Sequence, residues 1–113
     1  MGCVMDLELA WAAGFFDGEG CSCIQRRQGG KYLGIALQIS QCNIENLERF
    51  LAAVDQGTIR GPYIGRNPNS NPSWRWRVGN AEGVHEVMKQ LWPYLGSIKK
   101  KQYLRVRAEV KAA

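Results

Sequence analysis

The 113-residue sequence holds one histidine, His85, and that scarcity removes several chemistries at once. No convincing Ser-His-Asp or Cys-His set can be assembled. His85 itself lies between Glu82 and Glu86 in a helical pattern and reads as a surface residue. The four cysteines, Cys3, Cys21, Cys23 and Cys42, include no Cys-x-x-Cys pair, so a zinc site of the usual spacing is excluded. They are expected to be reduced, small, half-buried residues and not a disulfide framework. Long apolar runs are missing too. The longest, Leu9 to Phe16, falls far short of the ~20 residues a membrane span needs, so no membrane partner is expected. The start, Met1-Gly2-Cys3-Val4-Met5-Asp6, has no basic region followed by an apolar one, and no Ser or Thr at position 6 to accompany a myristoylated Gly2. The expectation is an intracellular protein, in cytoplasm, nucleoid or an organelle. There is no internal repeat and no low-complexity segment, and the length suits one domain, residues 1–113.

Acid is absent from two long stretches, Gly20 to Ile44 and Gln56 to Ala81. They carry Arg26, Arg27, Lys31, Arg60, Arg66, Arg75 and Arg77, whereas all 10 acidic residues lie elsewhere. The net charge of +5 alone would only favour a polyanionic partner. Its segregation says more: a solvated surface normally mixes its signs, so a positive face built from two particular elements is implied.

What remains is well patterned. Asp6 to Phe16 reads as a helix with Asp6 as N-cap, leaving through Gly18-Glu19-Gly20. Two stripes run along it: Leu7, Trp11 and Phe15, bulky enough for a core, and Ala10, Ala13, Gly14 and Asp17, small enough for a second backbone to approach. Cys21 to Arg27 and Tyr32 to Gln41 read as strands around a Gln28-Gly29-Gly30 turn. The second strand alternates Leu33, Ile35, Leu37 and Ile39 against Gly34, Ala36, Gln38 and Ser40. Asn43 to Val54 is an amphipathic helix with Ile44, Leu47, Leu51 and Val54 inward. Gly57 to Arg66, interrupted at Gly61-Pro62, and Ser73 to Val78 form a second hairpin across the polar loop Asn67 to Pro72. There Trp74, Trp76 and Val78 face the core and Arg75 and Arg77 face away. Helices follow at Ala81 to Leu91 and from Lys99 to Ala113, separated by Trp92-Pro93. The order gives an α+β fold: a four-stranded antiparallel sheet with helices on one face, αββαββα(α). Its open face would carry the arginines and glutamines, and two-stranded ribbons fit the major groove of B-DNA.

The stretch Ala12-Ala13-Gly14-Phe15-Phe16-Asp17-Gly18-Glu19-Gly20 closely resembles the motif of the LAGLIDADG homing endonucleases, with Ala12 for the usual leucine and Glu19 where aspartate is commoner. Trp92-Pro93-Tyr94-Leu95 followed by Lys99-Lys100-Lys101-Gln102, and Gln38-Ile39-Ser40-Gln41, are similar to further stretches of that family, as is the order of elements. The resemblance implies a homodimeric, Mg²⁺-dependent, site-specific endonuclease of the mobile-intron type, cutting double-stranded DNA at a pseudopalindrome of roughly 20 base pairs. It implies that Ala10, Ala13, Gly14 and Asp17 pair the motif helices of two protomers, with Asp17 hydrogen-bonded to the partner helix. Glu19 with the Gly18 carbonyl would hold the metal. Lys99, or its neighbour Lys100, would stabilise phosphate charge, and Gln41 would position water. Gln25, Arg27, Gln38, Ser40, Arg60, Arg75 and Arg77 would meet bases or phosphates. Three rivals share the fold: a DNA-binding regulator that does not cut, a cofactor for intron RNA splicing, and half of a two-motif monomer. A second acid-Gly-acid-Gly helix end is absent, which favours the dimer.

Overall fold

The computed structural model describes residues 6–112, so Cys3 lies outside the described residues. Helix α1 (Leu7–Glu19) opens on Asp6, whose carboxylate accepts the Leu9 amide at 3.1 Å. This satisfies one of the donors that a helix start leaves unpaired. The helix runs past Phe16, where the sequence pattern suggested its end, to Glu19; the Gly20 amide still donates to the Phe16 carbonyl.

Strand β1 (Gly20–Arg27) follows without a linker and pairs antiparallel with β2 (Tyr32–Gln41). Helix α2 (Ile44–Val54) starts on Asn43, whose side chain accepts the Glu45 amide at 2.9 Å. The second hairpin consists of β3 (Thr58–Tyr63) and β4 (Ser73–Val78). Strand β2 also pairs with β4, so the antiparallel sheet runs β1-β2-β4-β3, with the hairpins joined through their second strands. Helix α3 (Ala81–Leu91), a short 3₁₀ turn (Trp92–Tyr94) and helix α4 (Ser97–Ala112) complete the chain. The α+β class, the single sheet and the helices gathered on one face agree with the sequence pattern. Among the described residues no helix is long and apolar enough to cross a membrane.

The core lies between sheet and helices. Trp76, Phe16, Phe50, Leu37, Ile39 and Leu47 are its largest contributors, all essentially without exposure. Phe50 meets Trp76 edge-on, with centroids 4.7 Å apart, and the Trp76 indole donates to the Gln56 carbonyl at 2.8 Å. Burying an indole is favourable only when its N–H finds such an acceptor.

Several expectations are corrected. Leu7, read as core, is 73% exposed, and Ala13, read as a face for a partner helix, is 0% exposed within the chain's own core. Helix α1 is apolar nearly all round, so periodicity left its inward face undetermined. The buried face is Ala12, Ala13 and Phe16. In α2, Phe50 is buried beside Leu47 and Val54, whereas Ile44 and Leu51 are only half-buried. Strand β3 is shorter than Gly57 to Arg66: Gly57 sits at a left-handed φ of 92°, and the pairing shifts register between Arg60 and Tyr63. Arg66 therefore belongs to the exposed loop. Cys21 and Cys23 are half-buried as expected, but Cys42 is exposed. Burial above all, with Cys21 beside it, pushes the Cys23 thiol up from its ordinary value.

The step from α1 into β1 is tight. A Cβ on Gly20 would fall inside contact distance of three ring atoms of Phe16, a ring fixed in the core. Gly20→Ala is expected to lower stability by about 1–3 kcal/mol, the usual cost of overpacking, read as a reduced Tm in thermal melts; an unchanged Tm would mean that the ring moves aside freely.

Candidate active site and nucleic-acid face

The acidic end of α1 projects where the helix meets the sheet. Glu19 and Gly18 are exposed, while Gly20 is buried. The last carbonyls of a helix lack helical partners. That of Gly18 cannot take the Ser22 amide, because Ser22 donates to Gln102 Oε1 at 3.2 Å. A carboxylate and a carbonyl oxygen are thus both available at this tip.

Lysine reaches the same place from the other end of the chain. Lys99 Nζ donates to the Gly20 carbonyl at 2.6 Å, one residue from Glu19. The neighbouring alternative, Lys100, instead sits over the Trp92 ring, 5.2 Å from its centroid. Lys99 and Gln102 lie three apart on α4 and face β1 together, so Lys99 is the lysine that the fold brings to the acidic tip. Gln41 ends β2, two residues beyond Ile39, the partner of Gly20, so it lies at the same end of the sheet.

Asp17 does otherwise than expected. Both its carboxylate oxygens accept the Gly96 amide, at 3.1 and 3.0 Å, beside the start of α4. A negative charge there also suits the positive end of that helix. Asp17 thus ties α1 to α4 within one chain instead of reaching for a partner helix. With Ala13 buried, the face that α1 leaves free is Leu7, Ala10, Gly14 and Gly18; no atom lies within 4 Å of a Cβ built on Gly14 or Gly18. Of the four residues expected on a helix-pairing face, Ala10 and Gly14 lie on it; Ala13 and Asp17 turn inward.

The seven residues expected to read DNA share the open face of the sheet. In the β2–β4 register Gln38 is opposite Arg77 and Ser40 opposite Arg75; in β3–β4, Arg60 is opposite Arg75. Gln25 and Arg27 point the same way from β1, because Cys21, two and three alternations earlier, pairs with Gln38. The residues from Gln25 and Arg27 across to Arg60, Arg75 and Arg77 line a cleft of about 460 Å³. Two further members escaped the sequence reading. Thr58, opposite Arg77, was available from strand alternation. Tyr63, whose ring lies 5.4 Å from the Arg75 guanidinium, could be found only by knowing the register shift. The indoles of Trp74 and Trp76 are on the opposite, helix-covered face.

No family model and no curated protein matches the chain. Solved structures do. The homing endonuclease I-CvuI in complex with its target aligns at a TM-score of 0.65 and 21% identity, over 93% of this chain and 64% of that one. The archaeal intron-encoded homing endonuclease I-Vdi141I complexed with DNA gives 0.67 and 24%, over 94% and 68%. The LAGLIDADG meganuclease I-CpaMI bound to uncleaved DNA gives 0.70 and 17%, over 96% and 36%. This is the LAGLIDADG homing endonuclease fold. The chain spans 64% of I-CvuI and 36% of I-CpaMI, so it corresponds to part of the length of both. Within the LAGLIDADG fold, the tip of α1 and the open sheet face are where exposed acid and uncompensated arginine stand.

The Asp17–Gly96 tie holds the start of α4, and hence Lys99, against α1. Asp17→Ala is expected to cost about 1–3 kcal/mol, the penalty for a half-buried amide left without its acceptor. Asp17→Asn, keeping one oxygen, is expected to recover most of the loss. Equal melting temperatures for Asp17→Ala and the parent protein would show that the tie contributes nothing.

Proposed function

We propose that the chain is one protomer of a homodimeric, divalent-metal-dependent endonuclease that cuts double-stranded DNA at a long two-fold site. One observation carries the reading: a single exposed carboxylate, Glu19, stands at the end of a helix whose free face is lined by small residues, next to Lys99 and at the border of an arginine-rich sheet. Among the described residues no group of three or more His, Cys, Asp or Glu side chains could enclose a metal ion. The Glu19 carboxylate with the Gly18 carbonyl fits Mg²⁺, which is commonly held by one or two carboxylates with phosphate and water completing its octahedron. Glu19 and the Gly18 carbonyl would supply the protein's oxygens. When bound, the ion supplies Lewis-acid stabilisation of charge on the scissile phosphate.

The chain's own residues do the rest. The free face of α1, Leu7, Ala10, Gly14 and Gly18, pairs with its copy across a two-fold axis. Two Glu19 carboxylates then stand side by side, one for each strand of the duplex. Lys99, anchored on the Gly20 carbonyl, keeps further N–H donors for the phosphate. Gln41 orients water. The seven polar residues on the sheet, with Thr58 and Tyr63, lie along the groove and grip each half-site; several of the arginines meet phosphates and set the register. A DNA-binding regulator or an RNA splicing cofactor would need the basic face but gives no reason for an exposed carboxylate beside an anchored lysine.

Glu19→Gln is expected to lower cleavage of a selected duplex by about 10²–10³-fold or more, the scale of removing one group that supports transition-state charge, while gel-shift affinity stays within a few-fold. Cleavage at the parental rate in Mg²⁺ would refute the metal assignment. Chelation with EDTA is expected to stop cutting, reversibly on adding Mg²⁺. Gly14→Leu meets open space within the chain, so the protomer is expected to keep its fold by circular dichroism, whereas light scattering is expected to give a monomer and Tm to lose the contribution of association. A monomeric parent protein, on and off DNA, would overturn the dimer.

A further inference from the structure

The open sheet face is not a row of independent side chains. Arg77 Nη2 donates to Gln25 Oε1 at 3.0 Å, and Arg77 Nη1 donates to Gln38 Oε1 at 3.2 Å. Gln25 Nε2 in turn donates to the Gly79 carbonyl at 3.0 Å, which also takes Arg27 Nη2 at 2.6 Å. One guanidinium on β4 therefore spans β2 to reach β1. The crossing is made possible by small residues on β2: Ala36, on this face, is fully buried, and Gly34 has no side chain. The orientation of both amides follows from chemistry. A guanidinium only donates, so each glutamine must offer it oxygen; a carbonyl only accepts, so Gln25 must offer Gly79 its nitrogen.

Resting on the DNA-reading role proposed above, we infer that this brace makes the central strip a donor-rich reader that favours guanine over adenine. A glutamine distinguishes adenine by accepting from N6 while donating to N7. Gln25 is held at both ends and the Gln38 oxygen is turned to Arg77; each oxygen keeps one further lone pair, but both amides are tied to the sheet and not free to swing onto an adenine edge. What the strip offers is the Gln38 amide N–H groups, the remaining N–H groups of Arg77 and Arg27, and those of Arg75. No acidic residue occurs between Gly20 and Ile44 or between Gln56 and Ala81 to accept a hydrogen bond. The hydroxyls of Ser40, Thr58 and Tyr63 can do either, so donors outnumber acceptors on the strip. The major-groove edge with two adjacent acceptors and no donor is guanine, through O6 and N7. Gln25 acts as a positioning residue: it fixes Arg77 without meeting a base.

Gly79 provides a test that leaves Arg77, Arg75, Arg27 and Gln38 unsubstituted. A Cβ at this position would lie 2.7 Å from Gln25 Oε1, the far end of a flexible side chain, so Gly79→Ala displaces the amide and not the backbone. The parent protein, Gly79→Ala and Arg77→Met are each used to select bound duplexes from a randomised DNA library in Ca²⁺, and the enriched sites are sequenced. The parent is expected to enrich guanine at symmetric positions in both half-sites, by roughly tenfold over adenine. Arg77→Met frees the Gln38 oxygen and is expected to move one position per half-site toward adenine. Gly79→Ala is expected to flatten the guanine preference there by several-fold, with flanking positions unchanged. Adenine enriched over guanine at those symmetric positions for the parent protein, or identical base preferences in all three proteins, would overturn the donor-rich strip while leaving DNA binding intact. No enriched duplex at all would overturn the DNA-reading role and the strip with it.

Discussion

Where Glu19 can be is governed by the contact between the Phe16 ring and the bare Cα of Gly20. Phe16 is sealed into the core with Ala12 and Ala13, so α1 cannot roll about its axis. The strand begins at the next residue after the helix, leaving no slack to absorb a change of direction. With Gly20 pressed against the ring and paired to Ile39, the Gly18–Glu19 peptide is held between two rigid elements. An acid placed on a rigid support loses little freedom when it engages a ligand, which is the physical basis of preorganisation.

Charge follows the same division. The sheet strands carry arginine without compensating acid, and the acids gather on the first three helices and their caps, including Glu8, whose ion pair with Arg49 closes at 2.8 Å across α1 and α2. Arg49 also lies over the Trp11 ring, 4.0 Å from its centroid, so this arginine is spent on packing rather than on a partner. Its bond to Glu8 holds that carboxyl below the usual carboxylate range. Positive charge without compensating acid thus lies over the cleft, and a second concentration lies on α4, where Lys99, Lys100, Lys101, Arg105, Arg107 and Lys111 face Glu109 alone.

Much of this was legible in the residues, and the failures have identifiable causes. Tyr32–Gln41, Ser73–Val78 and Ala81–Leu91 form the elements that alternation and proline placement indicated, and Asp6 and Asn43 cap the helices they precede. These are local choices, made within a few residues. Which face of α1 turns inward was not local. Its apolar residues ring the helix, and the sheet, not the helix, decided that Ala13 is core and Leu7 is surface. Asp17 depends on Gly96, 79 residues away, and no spacing rule connects them. The glutamine–arginine brace was invisible for a similar reason: a strand pattern gives the face of each side chain but not which of its atoms a neighbour three strands of sequence away will occupy.

The docking of α4 on β1 has an effect beyond placing Lys99. An outer strand ordinarily exposes a row of backbone donors and acceptors that can recruit a strand from another molecule. Here Lys99 occupies the Gly20 carbonyl and Gln102 occupies the Ser22 amide, so the first rungs of that row are already taken by side chains. At the opposite border β3 breaks its pairing between Arg60 and Tyr63, around Pro62, which has no N–H to offer. Both borders of the sheet thereby present interrupted rows of backbone groups, which disfavours lateral growth by strand addition.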